Sequence, residues 1–433
     1  MPHHTSLYRE LDLPLAPAEA AAALARREGF VFLDSALEAE GAISILACEP
    51  ELILEGGPAD WHRLQADLDC RRRETGDIGL PAGAAIGWVS YDGSYRFGIY
   101  PDLLIHVHGK DRWLAVGNPR LPSPAEHFEG APVNFQPDID SLTYQRLVRR
   151  AQEYIGAGDI YQACLAHRFR AAYAGHPWPF YAALRDYSPA PQAAYLALGD
   201  TTVLSASPEC FLRMSGSHIL TRPIKGTRPR RAGSDADERS AYDLITSPKE
   251  IAELVMITDL ERNDLGRVCE FGTVHVSDLL RLERFEQVFH LVSTVEGTLR
   301  PGISHLDALA ACFPGGSISG APKKRAMEII EELEPAPRGI FTGAIGFLGF
   351  NGESRFNIAI RTVVIREGQA SFHVGAGIVA DSIPEKEWQE TLDKASGILL
   401  AASRISPVDV TPPPASPARG VTRSGRARNR SDQ

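Results

Sequence analysis

The sequence predicts an α+β protein with a large core, and three observations carry that expectation. Strand-like and helix-like segments come in blocks, not in the alternation that builds a parallel βαβ sheet. The chain has 433 residues, 44% of them apolar and 23% charged, which is the balance of a globular protein and enough length for two or three domains. No apolar run approaches the roughly 20 residues that a membrane-spanning helix needs.

The first block, residues 1–133, is mixed. Residues 16–25 are alanine-rich, carry Glu19, and read as a helix and not as a secretory signal. Residues 30–33, 43–47, 51–55 and 84–91 have strand character, and 61–73 has helix character. Proline and glycine between Gly117 and Asp138 mark a connector. The second block, residues 139–405, opens with a helix over 141–157 that Gly158 can close. Strands follow over 161–169, 194–198 and 203–206, and a strand, a turn and a strand lead to Lys225. Residues 229–238 are charged and read as a surface loop. Helices are expected over 247–259, within 313–333 and over 383–400. Strands are expected over 343–348, 354–365 and 371–374, with a Gly-Ala-Gly turn after the last. Residues 407–433 are rich in Pro, Ser and Arg, cannot offset their ordering entropy, and read as a disordered tail.

Composition excludes some functions. A net charge of −10 argues against a general nucleic-acid binder. The six cysteines are scattered, with no Cys-x-x-Cys, and read as reduced packing residues of a cytoplasmic protein.

Five features could carry chemistry. Lys225 lies in Pro223-Ile224-Lys225-Gly226-Thr227-Arg228 and is either a solvated turn lysine or one held against a substrate. Ser247-Pro248 opens a helix on which Glu250, at the capping-box position, and Glu253 share a face. Glu387, Glu390 and Lys394 repeat that spacing on the last helix. These are either solvated helix faces or, if they converge, a site that only a cation makes tolerable; all-oxygen ligands favour Mg²⁺. The run from Gly315 to Lys323 is either a tight turn or a glycine-rich loop that offers N–H groups to an anion. Gly375-Ala376-Gly377 either turns the chain or lets a ligand approach the backbone. Arg361, which interrupts an apolar strand, is a solvated side chain or a carboxylate clamp, and His290 is a half-buried histidine or a catalyst.

Taken together, residues 140–402 resemble the chorismate-utilising enzymes, whose members make anthranilate, aminodeoxychorismate, isochorismate or salicylate. The resemblance rests on Gly158 to Gln162, Ser207-Pro208-Glu209, Pro223 to Arg228, Asp259 to Val268, His290 to Ser293, Gly315 to Lys323, Ile360-Arg361-Thr362 and Gly375 to Ser382. It implies a layered sandwich of two large antiparallel sheets flanked by helices. Lys225 resembles the aminodeoxychorismate-forming branch of folate biosynthesis, where the anthranilate and isochorismate types carry Ala. Gln162 stands where the isochorismate and salicylate types carry a water-activating lysine.

The resemblance also implies roles. Mg²⁺ would be held by Glu253 and Glu390, with Glu250 and Glu387 beside them. Gly375, Ala376, Gly377 and Lys394 would meet the ring carboxylate of chorismate. Arg361 would hold the enolpyruvyl carboxylate beside Phe341, where members often carry Tyr. Gly226, Thr227 and His290 would line the substrate. Lys225 would attack C2 while Glu209 protonates the departing C4 hydroxyl. A free lysine is neutral about once in a thousand near neutral pH, a penalty of about 4 kcal/mol that the site must offset. No cysteine has the Gly-x-Cys-x-Gly setting of a glutaminase, so ammonia is expected from a separate glutamine amidotransferase subunit. Ser35, Pro191, Gln192 and Ala193 resemble parts of the tryptophan pocket of anthranilate synthases, and residues 1–133 resemble their N-terminal region more loosely.

Overall fold

The computed structural model describes residues 7–37, 41–75, 79–122, 126–285 and 288–410. Two large antiparallel sheets, of twelve and ten strands, face each other across an apolar core. Strand periodicity explains the layering. Ile43, Ile45 and Ala47 point into the inter-sheet core and meet Ala84, Ile86 and Trp88 of the second sheet. Their neighbour Leu46 points the other way, into an outer core with Phe30 and Phe32. Helices Trp178–Tyr187 and Pro384–Ser403 cover that outer face with Phe180, Leu184, Ala395 and Ile398. Helices Trp61–Cys70, Pro248–Gly266 and His305–Cys312 cover the outer face of the second sheet, setting Leu64, Leu265 and Leu309 on Phe97, Phe211 and Phe356.

Both sheets draw strands from residues 1–133 and from 139–405. Val31–Asp34 of the first block pairs with Gln192–Leu198, and Ala84–Val89 pairs with Ala344–Gly349. Of the links that carry the chain from one sheet to the other, two bear on the site. Strand Thr201–Ser207 lies in the larger sheet and Cys210–Ser215 in the smaller. Strand Glu353–Ile358 lies in the smaller sheet and Thr362–Arg366 in the larger.

Several expectations change. Residues 354–365 are not one strand, because the chain changes sheets there. Gly375, Ala376 and Gly377 do not form a turn; they lie inside strand Gln369–Ile378, paired with Ala166, Leu165 and Cys164. The surface loop expected at 229–238 gives way to helix Ser234–Ile245, whose Ala241 and Leu244 are buried. Ser247 is the N-cap residue, but its side chain makes no cap hydrogen bond and no capping box forms. Val408–Val410, placed in the tail by composition, pair with Glu126–Phe128. Residues 411–433 lie outside the described residues. All six cysteines are free, and among the described residues no helix is long and apolar enough to cross a membrane.

One buried ion pair pins the interior. Arg338 and Glu334 have side chains 2% and 5% exposed, and Arg338 also donates to the carbonyls of Cys164 and Ile318. Arg338→Leu leaves Glu334 buried without its partner. We expect a loss of about 3–5 kcal/mol, read from a denaturant midpoint.

Candidate active site

Lys225 lies on strand Ile224–Pro229, an edge of the smaller sheet. Its register against strand Val288–Thr298 slips at Gly226: Lys225 opposes Leu291, while Thr227 opposes His290. Gly226 is the extra residue of a bulge and takes φ +73°, and a Cβ there would come within 2.5 Å of Leu244. A bulge of this kind re-aims the side chains beside it. The Lys225 ammonium donates to the carbonyl of Ser317 at 3.3 Å, and the thiol of Cys164 donates to the same oxygen at 3.7 Å. Burial by itself lowers the Lys225 pKa. The Cys164 thiol and the carboxylates of Glu253, Glu209 and Glu390 outweigh it, so the net shift is upward. Thr227 and His290 share a hydrogen bond of 3.0 Å. Burial, with the nearby Arg361 cation, pushes His290 down to about 4, so it is neutral at physiological pH.

The two inter-sheet links deliver the next two residues. Glu209 sits on the first link and Arg361 on the second. The links are stitched together: the Ser207 hydroxyl donates to Ile358 O at 2.6 Å, and the Ala206 N–H to Arg361 O at 3.0 Å. Glu209 is 6% exposed. Burial raises its pKa, opposed by Lys225 and by hydrogen bonds from Ser317 and the backbone at Ile224. Arg361 has φ +49°, a left-handed conformation that costs a non-glycine residue about 1–3 kcal/mol. Among the described residues no hydrogen bond or ion pair engages its guanidinium, and burial lowers its pKa. A half-buried cation with free donors on a strained link is a place for an anion.

The helices carry the carboxylates. On Pro248–Gly266, Leu254, Ile257, Thr258, Glu261 and Leu265 form the buried stripe, and Glu250 and Glu253 sit one turn earlier. Glu253 accepts from Gln162 at 3.4 Å. Glu250 faces Arg228 at 3.5 Å. On Pro384–Ser403, Glu387 is 3% exposed and accepts from Ser382 at 2.8 Å, but its Oε2 has no partner. Lys249 reaches across from the other helix to Glu387 at 3.9 Å and Glu390 at 3.8 Å. Lys394 bridges Glu390 at 2.8 Å and the carbonyl of Gly375 at 2.9 Å.

Among the described residues no three or more His, Cys, Asp or Glu side chains are gathered closely enough to hold a metal ion. The chemistry nevertheless fits a hard divalent cation. The donors are all carboxylate oxygens, one buried oxygen of Glu387 is unpartnered, and Lys249, whose side chain is 52% exposed, is the cation that now bridges the helices.

Comparison with known proteins decides the family. The chorismate binding enzyme family matches residues 95–400. The chain belongs to that family. Anthranilate synthase component 1 of Thermus thermophilus is 48% identical over 281 residues, covering 65% of this chain and 61% of that protein. Aminodeoxychorismate synthase component 1 of Bacillus subtilis is 45% identical over 252 residues, 58% of this chain and 54% of that protein. The chain thus spans about three fifths or less of the length of these two relatives. The crystal structure of anthranilate synthase component I from Streptococcus pneumoniae superimposes with a TM-score of 0.73 at 30% identity, covering 84% of this chain and 93% of that one. Relatives named as anthranilate synthases are the more frequent among the best matches.

Within this chorismate-binding enzyme, the other expected residues fall as follows. Gly375 and Gly377 are small for a reason: a Cβ would lie 2.6 Å from Leu165 O and 2.4 Å from the Gln162 amide, respectively. Phe341 stacks on His373, with centroids 5.2 Å apart and planes at 15°. The glycine-rich run is not open to an external anion. Its Gly316 N–H donates to the buried Glu261 at 3.0 Å, and Lys323 is tied to Asp264 at 2.5 Å. An internal carboxyl group thus occupies the loop, and burial, with nearby Asp264, pushes its pKa up to about 8. Ser35, Pro191, Gln192 and Ala193 do come together, around a cavity of about 140 Å³. Sequence reasoning missed Cys164, Ser317 and Lys249. The first two meet Lys225 from distant segments, Cys164 from strand Gln162–Ala172 of the facing sheet and Ser317 from the turn Gly316–Ile318, which no local pattern encodes. Lys249 could have been found, since it immediately precedes Glu250.

Proposed function

We propose that the chain aminates chorismate to 4-amino-4-deoxychorismate, with ammonia from a glutamine amidotransferase partner. The observation that carries this reading is Lys225, a half-buried amine that feels the charge of Glu209, at a position where the family resemblance separates amination at C4 from anthranilate formation. Lys225 forms a bond to C2 of chorismate, the ring double bonds shift, and the C4–O bond breaks as Glu209 gives its proton to the leaving hydroxyl. Ammonia then bonds to C4, the double bonds shift back, and Lys225 departs. The sum is chorismate plus ammonia to 4-amino-4-deoxychorismate plus water. The printed name "component 1" of the relatives supports a partner subunit.

Chorismate carries two carboxylates. Arg361 binds the enolpyruvyl one, with Phe341 beside it. Gly375 to Gly377 and Lys394 receive the ring one, and Gly226, Thr227 and His290 line the space between. Glu253 and Glu390, with Glu250 and Glu387, would hold Mg²⁺, which supplies charge to the ring carboxylate when bound. We expect Glu387→Gln to weaken Mg²⁺ binding about ten- to a hundredfold, and Lys249→Ala to tighten it, both read by calorimetry without substrate. Arg361→Ala should raise KM for chorismate about ten- to a hundredfold, the equivalent of about 1.5–3 kcal/mol. The deciding experiment supplies chorismate, ammonia and Mg²⁺ and identifies the product by mass spectrometry. Anthranilate with pyruvate would establish the second reading, an anthranilate synthase large subunit, which the relatives' names favour. The cavity at Ser35 and Gln192 is proposed as a tryptophan pocket, and calorimetry with tryptophan tests its occupancy.

A further inference from the structure

A cleft of about 620 Å³ opens between the two sheets, away from Lys225, and of the active-site residues only Phe341 lines it. Its volume is that of a small-molecule site. On the larger sheet three neighbouring strands present one row of side chains into it: Arg168, then His373 directly opposite, then Thr362. Ser371, two residues from His373 on the same strand, lies on the same face.

The charge in this row is not balanced. Asp138 accepts from Arg168 at 2.8 Å and also from Arg170 at 2.6 Å, so one carboxylate serves two guanidiniums. Arg168 uses only its Nε in that bond, and among the described residues its two terminal amino groups have no hydrogen-bond partner. The other arginines of the cleft are paired more fully: Arg338 with Glu334, Arg96 with Glu55 and Asp200, and Arg366 with Asp200 and Glu367. Beside Arg168, His373 is 7% exposed and its Nε2 has no hydrogen-bond partner. A buried unpaired ring nitrogen next to a free guanidinium edge costs stability unless a ligand uses both. The open edge of the Arg168 guanidinium is a planar fork that suits a carboxylate. Aromatic rings supply the rest of the wall, since Phe341 is stacked on His373 and Trp88 faces them from the other sheet.

We propose that this cleft is a second ligand site that takes a small aryl monocarboxylate, its carboxylate on Arg168 and His373 and its ring against Phe341 and Trp88. Burial pushes His373 down to about 3, so the ring is neutral, and its Nε2–H tautomer would donate to the carboxylate without adding charge.

The test is calorimetric titration of the full chain with benzoate. Wild type and Lys225→Ala should each bind one equivalent. Arg168→Gln should bind about tenfold more weakly or worse, the scale of losing a charge-assisted hydrogen bond. Ser371→Tyr fills the cleft and keeps Asp138, Arg168 and Arg170, with Ser371 standing directly opposite Arg170, so it should abolish binding in a protein that still melts cooperatively. That variant decides the matter if Arg168→Gln folds poorly. Absence of saturable binding to wild type would overturn the proposal. So would undiminished binding to Ser371→Tyr, or loss of binding in Lys225→Ala or Arg361→Ala, which would put benzoate in the chorismate site. None of these outcomes depends on which product the enzyme makes.

Discussion

Lys225→Ala is expected to lower ammonia-dependent formation of 4-amino-4-deoxychorismate on the order of 10³-fold or more, the scale of removing a nucleophile. The effect should fall on kcat. Arg361 and the Gly375–Gly377 backbone still bind the two carboxylates in the variant, so KM should change little. The structure makes the demand on this lysine plain. Its acidic surroundings raise its pKa, which favours the unreactive ammonium. Binding of a cation at Glu253 and Glu390 would remove two of those negative charges, and a proton passed to Glu209 would remove the amine's own. A covalent role and a purely electrostatic one make different predictions. Lys225→Arg keeps the charge but cannot attack as an amine at working pH, so it should be as impaired as Lys225→Ala if a bond forms. Rescue by arginine would leave charge stabilisation as the role. Intact mass of the wild type given chorismate without ammonia should show an adduct that Lys225→Ala lacks.

The strands and helices that could be read were those with a local signature. The strand Ile43–Ala47 matches its apolar run, and the helix Ser141–Gly156 matches its spacing and closing glycine. The carboxylate pairs were legible for the same reason, since i, i+3 spacing fixes a helical face. What escaped depends on contacts between distant segments. Leu103–Val107 is buried on both faces, so polar–apolar alternation is lost there, whereas Tyr95, Phe97 and Ile99 do alternate and that signal was legible. Arg361 looked like an interruption in one strand because a change of sheet leaves no local mark except the left-handed φ, which is invisible in an arginine. The Gly375–Gly377 segment looked like a turn because glycine signals one by default. Here close neighbours demand it instead, the Leu165 carbonyl and the Gln162 amide. The apparent anion loop at Gly315–Lys323 has its partner on another element: the Gly316 N–H donates to the carboxyl group of Glu261, 55 residues away in sequence.

Glu209→Gln should lower kcat about 10²–10⁴-fold, the usual worth of a positioned general acid, and should change the shape of the pH profile. In the proposed mechanism Glu209 and Lys225 hold one proton between them when the enzyme turns over. Burial raises the Glu209 pKa, and its acidic neighbours raise that of Lys225. The reactive arrangement is a neutral amine with a protonated carboxyl. It holds as many protons as the ion pair of ammonium and carboxylate, so its fraction is constant between the two pKa values. Below the Glu209 value both groups are protonated and the amine cannot attack. Above the Lys225 value neither is protonated and the hydroxyl has no acid. At a fixed concentration of free ammonia, the wild-type rate should therefore form a flat-topped bell. Glutamine cannot take the proton, so the acid limb is set by Lys225 alone. In Glu209→Gln the residual rate should rise about tenfold per pH unit up to the Lys225 pKa, with no plateau near neutrality. A variant that keeps the bell at reduced height would show that Glu209 only shapes the site, and the acid would then have to be sought in the protonated Lys225 itself or in the substrate's own carboxyls.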